Sequence, residues 1–284
     1  MVTCLKFGIV KLKYHSYLTT KYPLPQAFVA SLPFPAKNEP VTYHQASKDR
    51  YWCAAMQDEF NALLSNQTWS LVPRHPSMNT VGSKWVYKIK EKPNGSIEQY
   101  KAHLIAKGYN QQEGVNFTET FSPVVKPVTI RTVLSFSLTS HWPIRQLDVN
   151  NAFLHGMLYE EVYMEQPPGF RNSSHPTHVC HLHKAIYGLK QAPWAWFQKF
   201  SGFLLHYGFV WSGADRGMFV FRSSIGIMIL LVYVDDIILT GSSSSLLHSF
   251  IRVLSQQFAM KDLGELHYFL GIEAKRTSTG LHLC

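Results

Sequence analysis

Apolar residues recur along the chain with two different periods, and together these periods predict a mixture of helices and strands. Helical spacing of apolar residues predicts helices from Ser47, across residues 128–141, from Pro193 and from Leu246. Short apolar runs predict strands ending near Asp148 and at 162–169, 219–221, 227–234 and 267–273. Helices and strands do not alternate regularly, so we expect an α+β fold.

Capping residues give the expected helix boundaries. Ser47 is predicted as the N-cap of the first helix, and Asn66 as its stop. Pro193 suits the first turn of a later helix, because its missing N–H is not needed there, and Gly208 is expected to end that helix.

Residues 84–107 predict a β-hairpin with a basic face. Asn94-Gly95 is a strong turn signal between two alternating runs, with Trp85, Tyr87 and Ile89 on one face and lysines on the other. The segment holds six lysines and two glutamates. A row of like charges repels itself unless an anion lies along it, so we interpret this face as a phosphate-contacting surface. A solvated hairpin face is the alternative.

Two adjacent aspartates interrupt the apolar stretch from Ile229 to Gly241. Asp235 and Asp236 divide two β-type runs, so they are expected at the tip of a buried hairpin, although an ordinary polar turn is the alternative. Asp148 ends another apolar strand. Carboxylates from two neighbouring strand ends would suit Mg²⁺, which prefers oxygen ligands and completes its shell with phosphate oxygens or water.

Composition adds a basic charge and argues against a membrane span. The 284 residues are 46% hydrophobic, and 27 Lys and Arg against 18 Asp and Glu give a net charge of +9. This balance favours a polyanionic partner such as nucleic acid. The longest apolar run, residues 225–234, is about half of what a membrane span needs, so no membrane partner is expected. Four scattered cysteines indicate no disulfide framework.

A series of motifs resembles the reverse transcriptase of copia-type LTR retrotransposons. The motifs are L-D-V-N-N-A-F-L-H-G (147–156), V-Y-M-E-Q-P-P-G-F (162–170), Y-G-L-K-Q-A-P (187–193), Y-V-D-D (233–236), K-D-L-G (261–264) and Y-F-L-G-I (268–272). The resemblance runs from about residue 52 to residue 280, and the number and order of the motifs make it highly specific.

The resemblance implies a right-hand polymerase fold with fingers and palm and with the thumb largely absent. On this basis we expect fingers at about 46–140 and 157–190, and palm at about 141–156 and 191–284. Residues 1–45, which hold five of the fifteen prolines, are expected to form an extended lead-in or linker.

The resemblance also implies roles for individual residues. Asp148, Asp235 and Asp236 resemble the catalytic aspartates, and Asp148 and Asp235 with the Val149 carbonyl would bind two Mg²⁺ ions, for which Mn²⁺ is a possible substitute. The expected nucleotide contacts are Lys90, Lys101, His103, Phe153 and Gln191, with Phe153 as the steric gate against a ribose 2′-hydroxyl. Leu270 and Gly271 resemble the primer grip.

The implied activity is RNA-directed DNA polymerisation, that is, nucleotidyl transfer from a deoxynucleoside triphosphate to a primer 3′-hydroxyl. The expected partners are an RNA or DNA template-primer, deoxynucleoside triphosphates and the rest of a Pol polyprotein, with integrase upstream and ribonuclease H downstream. The expected location is a cytoplasmic virus-like particle or the nucleus.

Three positions depart from the family pattern and leave alternatives open. His103 stands where the family has arginine in K-A-R-L, Trp194 replaces arginine in Q-A-P-R-A-W, and Asn150 replaces lysine. Neutral histidine is a weak substitute for a permanently charged guanidinium. A truncated or decayed, inactive retroelement remnant that at most binds nucleic acid is therefore the main alternative. Another palm-type nucleotidyltransferase, such as a cyclase, is a third.

The segment 175–183, H-P-T-H-V-C-H-L-H, invites a zinc site. We do not expect one, because adjacent residues on a strand point to opposite faces.

Overall fold

Three of the five helices in the described residues, α1, α2 and α5, begin where a side chain accepts a hydrogen bond from one of their first backbone N–H groups. A computed structural model describes residues 39–92, 94–270, 272–277 and 280–283. Helix α2 begins after Asp49, whose Oδ1 accepts a hydrogen bond from the Tyr51 N–H at 2.7 Å. The prediction of Ser47 as its N-cap is therefore wrong: Ser47 instead ends a preceding single turn, α1, and its Oγ donates to the His44 carbonyl. Asn66 ends α2 as predicted.

The described residues form helices and strands in mixed order, which confirms the α+β class. The helices are α1 (Tyr43–Ala46), α2 (Arg50–Ser65), α3 (Pro127–Thr139), α4 (Ala192–Tyr207) and α5 (Ser244–Gln257). The strands are β1 (Trp69–Val72), β2 (Thr80–Val81), β3 (Ser83–Glu91), β4 (Ile97–Ala106), β5 (Ile144–Val149), β6 (Met157–Met164), β7 (Val179–Lys184), β8 (Val210–Trp211), β9 (Met218–Arg222), β10 (Ile227–Tyr233), β11 (Asp236–Gly241), β12 (Met260–Glu265), β13 (Tyr268–Phe269), β14 (Ile272–Thr277) and β15 (Gly280–Leu283).

A six-stranded sheet forms the centre of the unit Glu39–Cys284, and it has the order β12-β5-β11-β10-β9-β8. All its neighbouring strands are antiparallel. A four-stranded sheet has the order β1-β7-β6-β2, strands β3 and β4 form a separate hairpin, and β13-β14-β15 form a small third sheet. The predicted hairpin at the two aspartates is the central pair β10–β11.

Each face of the six-stranded sheet is covered by helices. On one face, Phe200 of α4 and Phe250 of α5 pack with Leu230 of β10, and all three are fully buried. On the other face, Leu134 of α3 packs with Leu231 of β10. Full burial of a large apolar side chain contributes about 1.5–3 kcal/mol, so these two layers hold the sheet rigidly at the centre of the fold.

The β3–β4 hairpin has the predicted turn and the predicted two faces. Gly95 has φ 77°, which suits glycine in the turn. Trp85 and Tyr87 are buried against α2 and the four-stranded sheet, whereas Lys84 and Lys88 are exposed. This alternation leaves the lysines on one side of the hairpin.

Three strand predictions need correction or addition. The single strand predicted at 267–273 is wrong: β13 and β14 form a tight hairpin there, because Leu270 takes φ 52° and reverses the chain. The strand predicted at 162–169 begins earlier, at Met157, and ends at Met164. Strand β12 was not predicted, because K-D-L-G has no apolar alternation and contains a register shift between Asp262 and Gly264.

Most of the predicted lead-in, residues 1–38, lies outside the described residues. Residues 39–46 belong to the compact unit, and the Glu39 carboxylate accepts a hydrogen bond from the Ile89 N–H at 2.8 Å. Within the described part of the chain, no helix combines the length and apolar character needed to cross a bilayer.

Candidate active site

The turn between β10 and β11 is tight and is held from two sides. Tyr233 and Asp236 are its last paired residues, which leaves Val234 and Asp235 as a two-residue turn. Val234 has φ 57°, a conformation that is rare for a β-branched residue and costs about 1–3 kcal/mol. The Trp196 indole N–H donates to the Val234 carbonyl at 2.7 Å, and the Val149 N–H donates to the Asp235 carbonyl at 3.3 Å. These bonds fix the direction of the aspartates.

Strand pairing brings the three predicted aspartates together. Asp148 on β5 is directly opposite Asp236 on β11. Residues opposite one another in an antiparallel pair share a face, with Cβ atoms about 4.5–5.5 Å apart. Asp235 is the neighbour of Asp236 in the turn. The sequence alone predicted two strand ends with carboxylates, and the register explains why they meet.

The electrostatics of this cluster are those of closely spaced negative charges. Burial raises the pKa of Asp235, the charge of Asp148 raises it further, and Lys101 acts in the opposite direction. Burial also raises the pKa of Asp236, as do the charges of Asp235 and Asp148. The site therefore favours binding of positive charge.

A lysine that the sequence analysis gave no role lies beside the aspartates. Lys261 on β12 is directly opposite Asp148, so Asp236, Asp148 and Lys261 form a row across three strands. The motif K-D-L-G was the only signal in the sequence, and the pairing of β12 with β5 was needed to place this lysine.

The donor atoms fit a hard divalent cation that shares its shell with a substrate. No group of three or more His, Cys, Asp and Glu side chains in the described residues is arranged to enclose a metal on its own. Mg²⁺ is commonly bound by only one or two carboxylates together with substrate phosphates and water. Asp148 on β5 and Asp235 in the β10–β11 turn could supply two such carboxylates, and the hydrogen bond from the Val149 N–H to the Asp235 carbonyl joins the two segments.

Phe153 and the hairpin lie on the approach to the aspartates. Phe153 follows β5 in a single 3-10 turn, Ala152–His155, and its half-buried ring packs edge-on against Tyr187 with centroids 4.6 Å apart. Lys101 lies close enough to Asp235 for its charge to oppose the burial that raises the pKa of Asp235. Lys90 shares the face of Lys101 on the hairpin but pairs with Gln99, nearer the tip.

His103 shares the exposed hairpin face with Lys101 and is engaged by an acidic residue. Its Nδ1 lies 3.2 Å from the Glu59 Oε1, and its ring packs against Tyr187 with centroids 5.4 Å apart. Glu59 therefore competes with any phosphate for the side chain of His103.

Gln191 is part of a buried network of amides. Its Nε2 donates to the Asn116 carbonyl at 2.7 Å, and its Oε1 accepts from the Gln111 Nε2 at 2.9 Å. The Lys190 N–H donates to the Gln111 Oε1 at 2.8 Å, which fixes the orientation of the Gln111 amide. Gln191 is 2% exposed, and it lines the cavity of about 720 Å³ that runs along α4.

The expected primer-grip residue Leu270 and the family departure Trp194 line two different cavities. Leu270 lies at the β13–β14 turn and lines an apolar cavity of about 240 Å³ together with Tyr233, the partner of Asp236. Gly271 lies outside the described residues. Trp194 stacks on Phe197 and lines a larger cavity of about 720 Å³ along α4.

The second half of the histidine-rich segment, from Val179 onward, belongs to strand β7 in the four-stranded sheet, and His175 and His178 precede the strand. His181 and His183 are half-buried, and their rings lie 4.9 Å apart. Cys180, which directly precedes His181, is fully buried, and burial raises the pKa of its thiol to about 12. Such a thiol resists becoming the thiolate that binds zinc.

Comparisons with known proteins agree with the motifs. The profile of the family described as "Reverse transcriptase (RNA-dependent DNA polymerase)" matches residues 66–284. The chain therefore belongs to the reverse transcriptase family, with RNA-directed DNA polymerase as the family's activity.

The relatives are retrotransposon polyproteins, which confirms the copia-type resemblance. The chain is 54% identical over 249 residues to the "Retrovirus-related Pol polyprotein from transposon RE1" of Arabidopsis thaliana, and 53% identical over 249 residues to that from transposon RE2. It is 41% identical over 230 residues to the one from transposon TNT 1-94 of Nicotiana tabacum. These alignments cover 87%, 87% and 81% of this chain but 17% of each polyprotein.

Proposed function

We propose that this chain is the polymerase core of a copia-type retrotransposon and adds deoxynucleotides to a primer 3′ end on an RNA or DNA template. The observation that carries the proposal is the register that sets Asp148 opposite Asp236, with Asp235 in the adjoining turn. Clustered carboxylates at the edge of a rigid sheet are well suited to reactions at phosphate.

In this proposal the chain is divided as in a right-handed polymerase. The palm comprises residues 141–156 and 191–284 with the six-stranded sheet, and the fingers comprise 46–140 and 157–190 with the basic hairpin. The lead-in would be confined to residues before 39, because residues 39–46 belong to the compact unit. The buried sheet supplies a rigid base for the aspartates, and the hairpin supplies positive charge.

Asp148, Asp235 and the Val149 carbonyl would hold Mg²⁺, which when bound lowers the pKa of the primer 3′-hydroxyl and stabilises the departing pyrophosphate. The primer oxygen gives its proton to solvent and bonds to the α-phosphorus, while the bond between the α-phosphorus and the oxygen that bridges to the β-phosphate breaks and pyrophosphate leaves. Lys261, beside Asp148, adds positive charge where negative charge accumulates on the leaving group.

Selection of the nucleotide rests on residues around the aspartates. The Phe153 ring would lie where a ribose 2′-hydroxyl would project and so exclude ribonucleotides. Lys101 and Lys90 would contact the triphosphate from the hairpin, and Gln191 would contact the nucleotide from the start of α4. Leu270 with Gly271 would support the primer end.

The partners follow from the same proposal. A template-primer duplex suits the net charge of +9, and deoxynucleoside triphosphates suit the lysine-rich hairpin. The relatives are polyproteins, so integrase upstream and ribonuclease H downstream are the neighbouring parts that we propose.

A second candidate function is an inactive remnant that only binds nucleic acid. The observation in its favour is His103, which stands at an arginine position of the family and is engaged with Glu59 at 3.2 Å. Loss of a permanent charge at the triphosphate would weaken nucleotide binding without disturbing the fold.

Primer extension separates the two candidates. The purified chain is incubated with an RNA template, a DNA primer, the four deoxynucleoside triphosphates and Mg²⁺ or Mn²⁺. Template-dependent extension supports the polymerase, and retention of the duplex without extension supports the remnant. Nucleotide polymerisation without a template would point to a different nucleotidyltransferase.

A further inference from the structure

Three rings form a continuous row between the basic hairpin and Phe153. Tyr187 packs on Phe153 with centroids 4.6 Å apart and an interplanar angle of 61°. On its other side it packs against His103 with centroids 5.4 Å apart. Tyr187 is therefore the ring that backs Phe153 on the side of the hairpin.

The backbone under Tyr187 has little freedom to move. The Tyr187 carbonyl accepts a hydrogen bond from the Ala106 N–H at 2.8 Å, at the end of β4. Gly188 has φ 90°, and a Cβ at this position would meet the Ala106 carbonyl oxygen at 2.2 Å. A Cβ on Gly108 would likewise meet the Gly188 carbonyl oxygen at 2.0 Å. Two glycines thus let the backbones pack in direct contact, and this contact fixes the origin of the Tyr187 side chain.

The far end of the row is also fixed. His103 lies 3.2 Å from the Glu59 Oε1, and the Leu104 N–H donates to the same oxygen at 3.4 Å. Glu59 belongs to α2, whose apolar side is buried against the hairpin. The row therefore connects a rigid helix to Phe153.

Tyr187 presents an uncharged surface beside the aspartates. Burial raises the pKa of its phenol to about 12, and the charges of Asp235, Glu59 and Asp148 contribute in the same direction. The phenol is therefore neutral at physiological pH, and Tyr187 acts through its shape.

We propose that Tyr187 is a positioning residue that holds the Phe153 ring in place, so that exclusion of ribonucleotides depends on Tyr187 as well as on Phe153. The inference rests on the proposed polymerase function. A ring excludes a 2′-hydroxyl only if it cannot turn away. Phe153 is half-buried against two core clusters, and the Tyr187 ring packs edge-on against it and restrains its rotation. The competing explanation is that Tyr187 merely fills space.

The test is single-nucleotide addition by the whole chain on a primer-template, with dATP and ATP compared opposite the same template base. An aromatic pair contributes about 0.5–1.5 kcal/mol beyond its buried area, which corresponds to roughly two- to tenfold. Tyr187→Leu should therefore lower the ratio of kcat/KM for dATP to that for ATP by about two- to tenfold. Tyr187→Phe keeps the ring and should retain the parental ratio.

Tyr87→Leu is the matched control. Tyr87 is also a buried tyrosine whose pKa is raised to about 12, but its ring packs on Trp52 and not on Phe153. Tyr87→Leu should lower the stability of the fold without changing the ratio of kcat/KM for dATP to that for ATP. If Tyr187→Leu retains the parental ratio, or if Tyr87→Leu lowers it equally, the inference is overturned.

A second measurement does not depend on activity. A fluorinated phenylalanine is placed at position 153, and its ¹⁹F resonance is recorded in the parent, Tyr187→Leu and Tyr87→Leu chains. Exchange broadening of the resonance in Tyr187→Leu alone shows that the Phe153 ring has become mobile and supports the inference, and a resonance as narrow as that of the parent overturns it. A parent that adds no nucleotide contradicts the proposed function, whereas an active parent with an unchanged sugar ratio contradicts only the role of Tyr187.

Discussion

Asp148 and Asp236 lie directly opposite each other across β5 and β11, and no ion pair within the described residues neutralises either carboxylate. Strand pairing forces these like charges together. Burial raises the pKa of Asp236, and the charges of the neighbouring aspartates raise it further. A fold that holds such a cluster is less stable for it, unless a cation binds there.

The first prediction concerns stability and pH. Because the pKa of Asp235 is raised on folding, its charge destabilises the fold above the folded pKa, and the penalty disappears below the unfolded pKa. Asp235→Asn should therefore raise the melting temperature at pH 7, by about 2–4 °C for each kcal/mol recovered, and the difference from the parent should shrink towards pH 4. Thermal melts across this pH range measure it.

Asp215→Asn is the control of opposite sign. Burial acts to raise the pKa of Asp215, but hydrogen bonds from the Thr129 hydroxyl at 2.6 Å and the Lys126 and Gly217 N–H groups at 2.9 Å outweigh it and lower the pKa. This substitution should cost about 1–3 kcal/mol at pH 7. Equal effects of the two substitutions would contradict the assignment of repulsion to Asp235.

The second prediction concerns cation binding. A ligand present at ten times its dissociation constant stabilises the fold by about 1.4 kcal/mol. Mg²⁺ or Mn²⁺ should therefore raise the melting temperature of the parent, and Asp235→Asn should remove most of this rise, because it removes a ligand charge. An equal rise in both chains would place the cation elsewhere.

The third prediction concerns the selection of deoxynucleotides over ribonucleotides. Phe153→Val should increase ribonucleotide addition relative to deoxynucleotide addition, because removal of the ring opens space for the 2′-hydroxyl. We expect a change of about tenfold or more, since a change of about 1.36 kcal/mol in the difference between the two activation free energies is already tenfold in rate. The control is Phe203→Val, because Phe203 of α4 is also half-buried but packs on Phe258, which follows α5. A parental ratio in the Phe153 variant would limit that ring to a packing role.

The fourth prediction concerns the departure at position 103. His103→Arg restores a permanent charge, and a hydrogen bond to a charged group is worth about 1.5–3 kcal/mol, so kcat/KM for nucleotide addition should rise about ten- to a hundredfold. Glu59 lies 3.2 Å from the histidine and would attract the guanidinium. The double variant with Glu59→Gln should therefore gain more than the single variant.

These variants are compared in single-nucleotide addition at saturating primer-template, and Glu59→Gln alone is the control. Identical kcat/KM in the parent, single and double variants would show that position 103 does not contact the triphosphate.

The sequence predicted local structure well where the chemistry is local. Asn94-Gly95 predicted its hairpin, and Pro193 and Gly208 predicted the two ends of α4, because turn and cap preferences depend on neighbouring residues. The adjacent aspartates predicted the β10–β11 turn for the same reason.

Long-range relationships could not be predicted in this way. The row Asp236, Asp148 and Lys261 depends on the register of strands far apart in sequence, and β12 lacks the alternation that would reveal it as a strand. The Trp196 bond to the Val234 carbonyl and the ring contact of Tyr187 with Phe153 likewise depend on tertiary packing.

The most direct test of the central claim is extension of a DNA primer on an RNA template with Mg²⁺, with the parent chain and Asp235→Asn assayed side by side. We predict template-directed addition by the parent, and a loss of several orders of magnitude in Asp235→Asn, because one carboxylate of the cation site has lost its charge. Retention of the fold in the variant is checked by its melting curve. Near-parental extension by Asp235→Asn, or no extension by the parent, would contradict the claim that these aspartates form a polymerase active site.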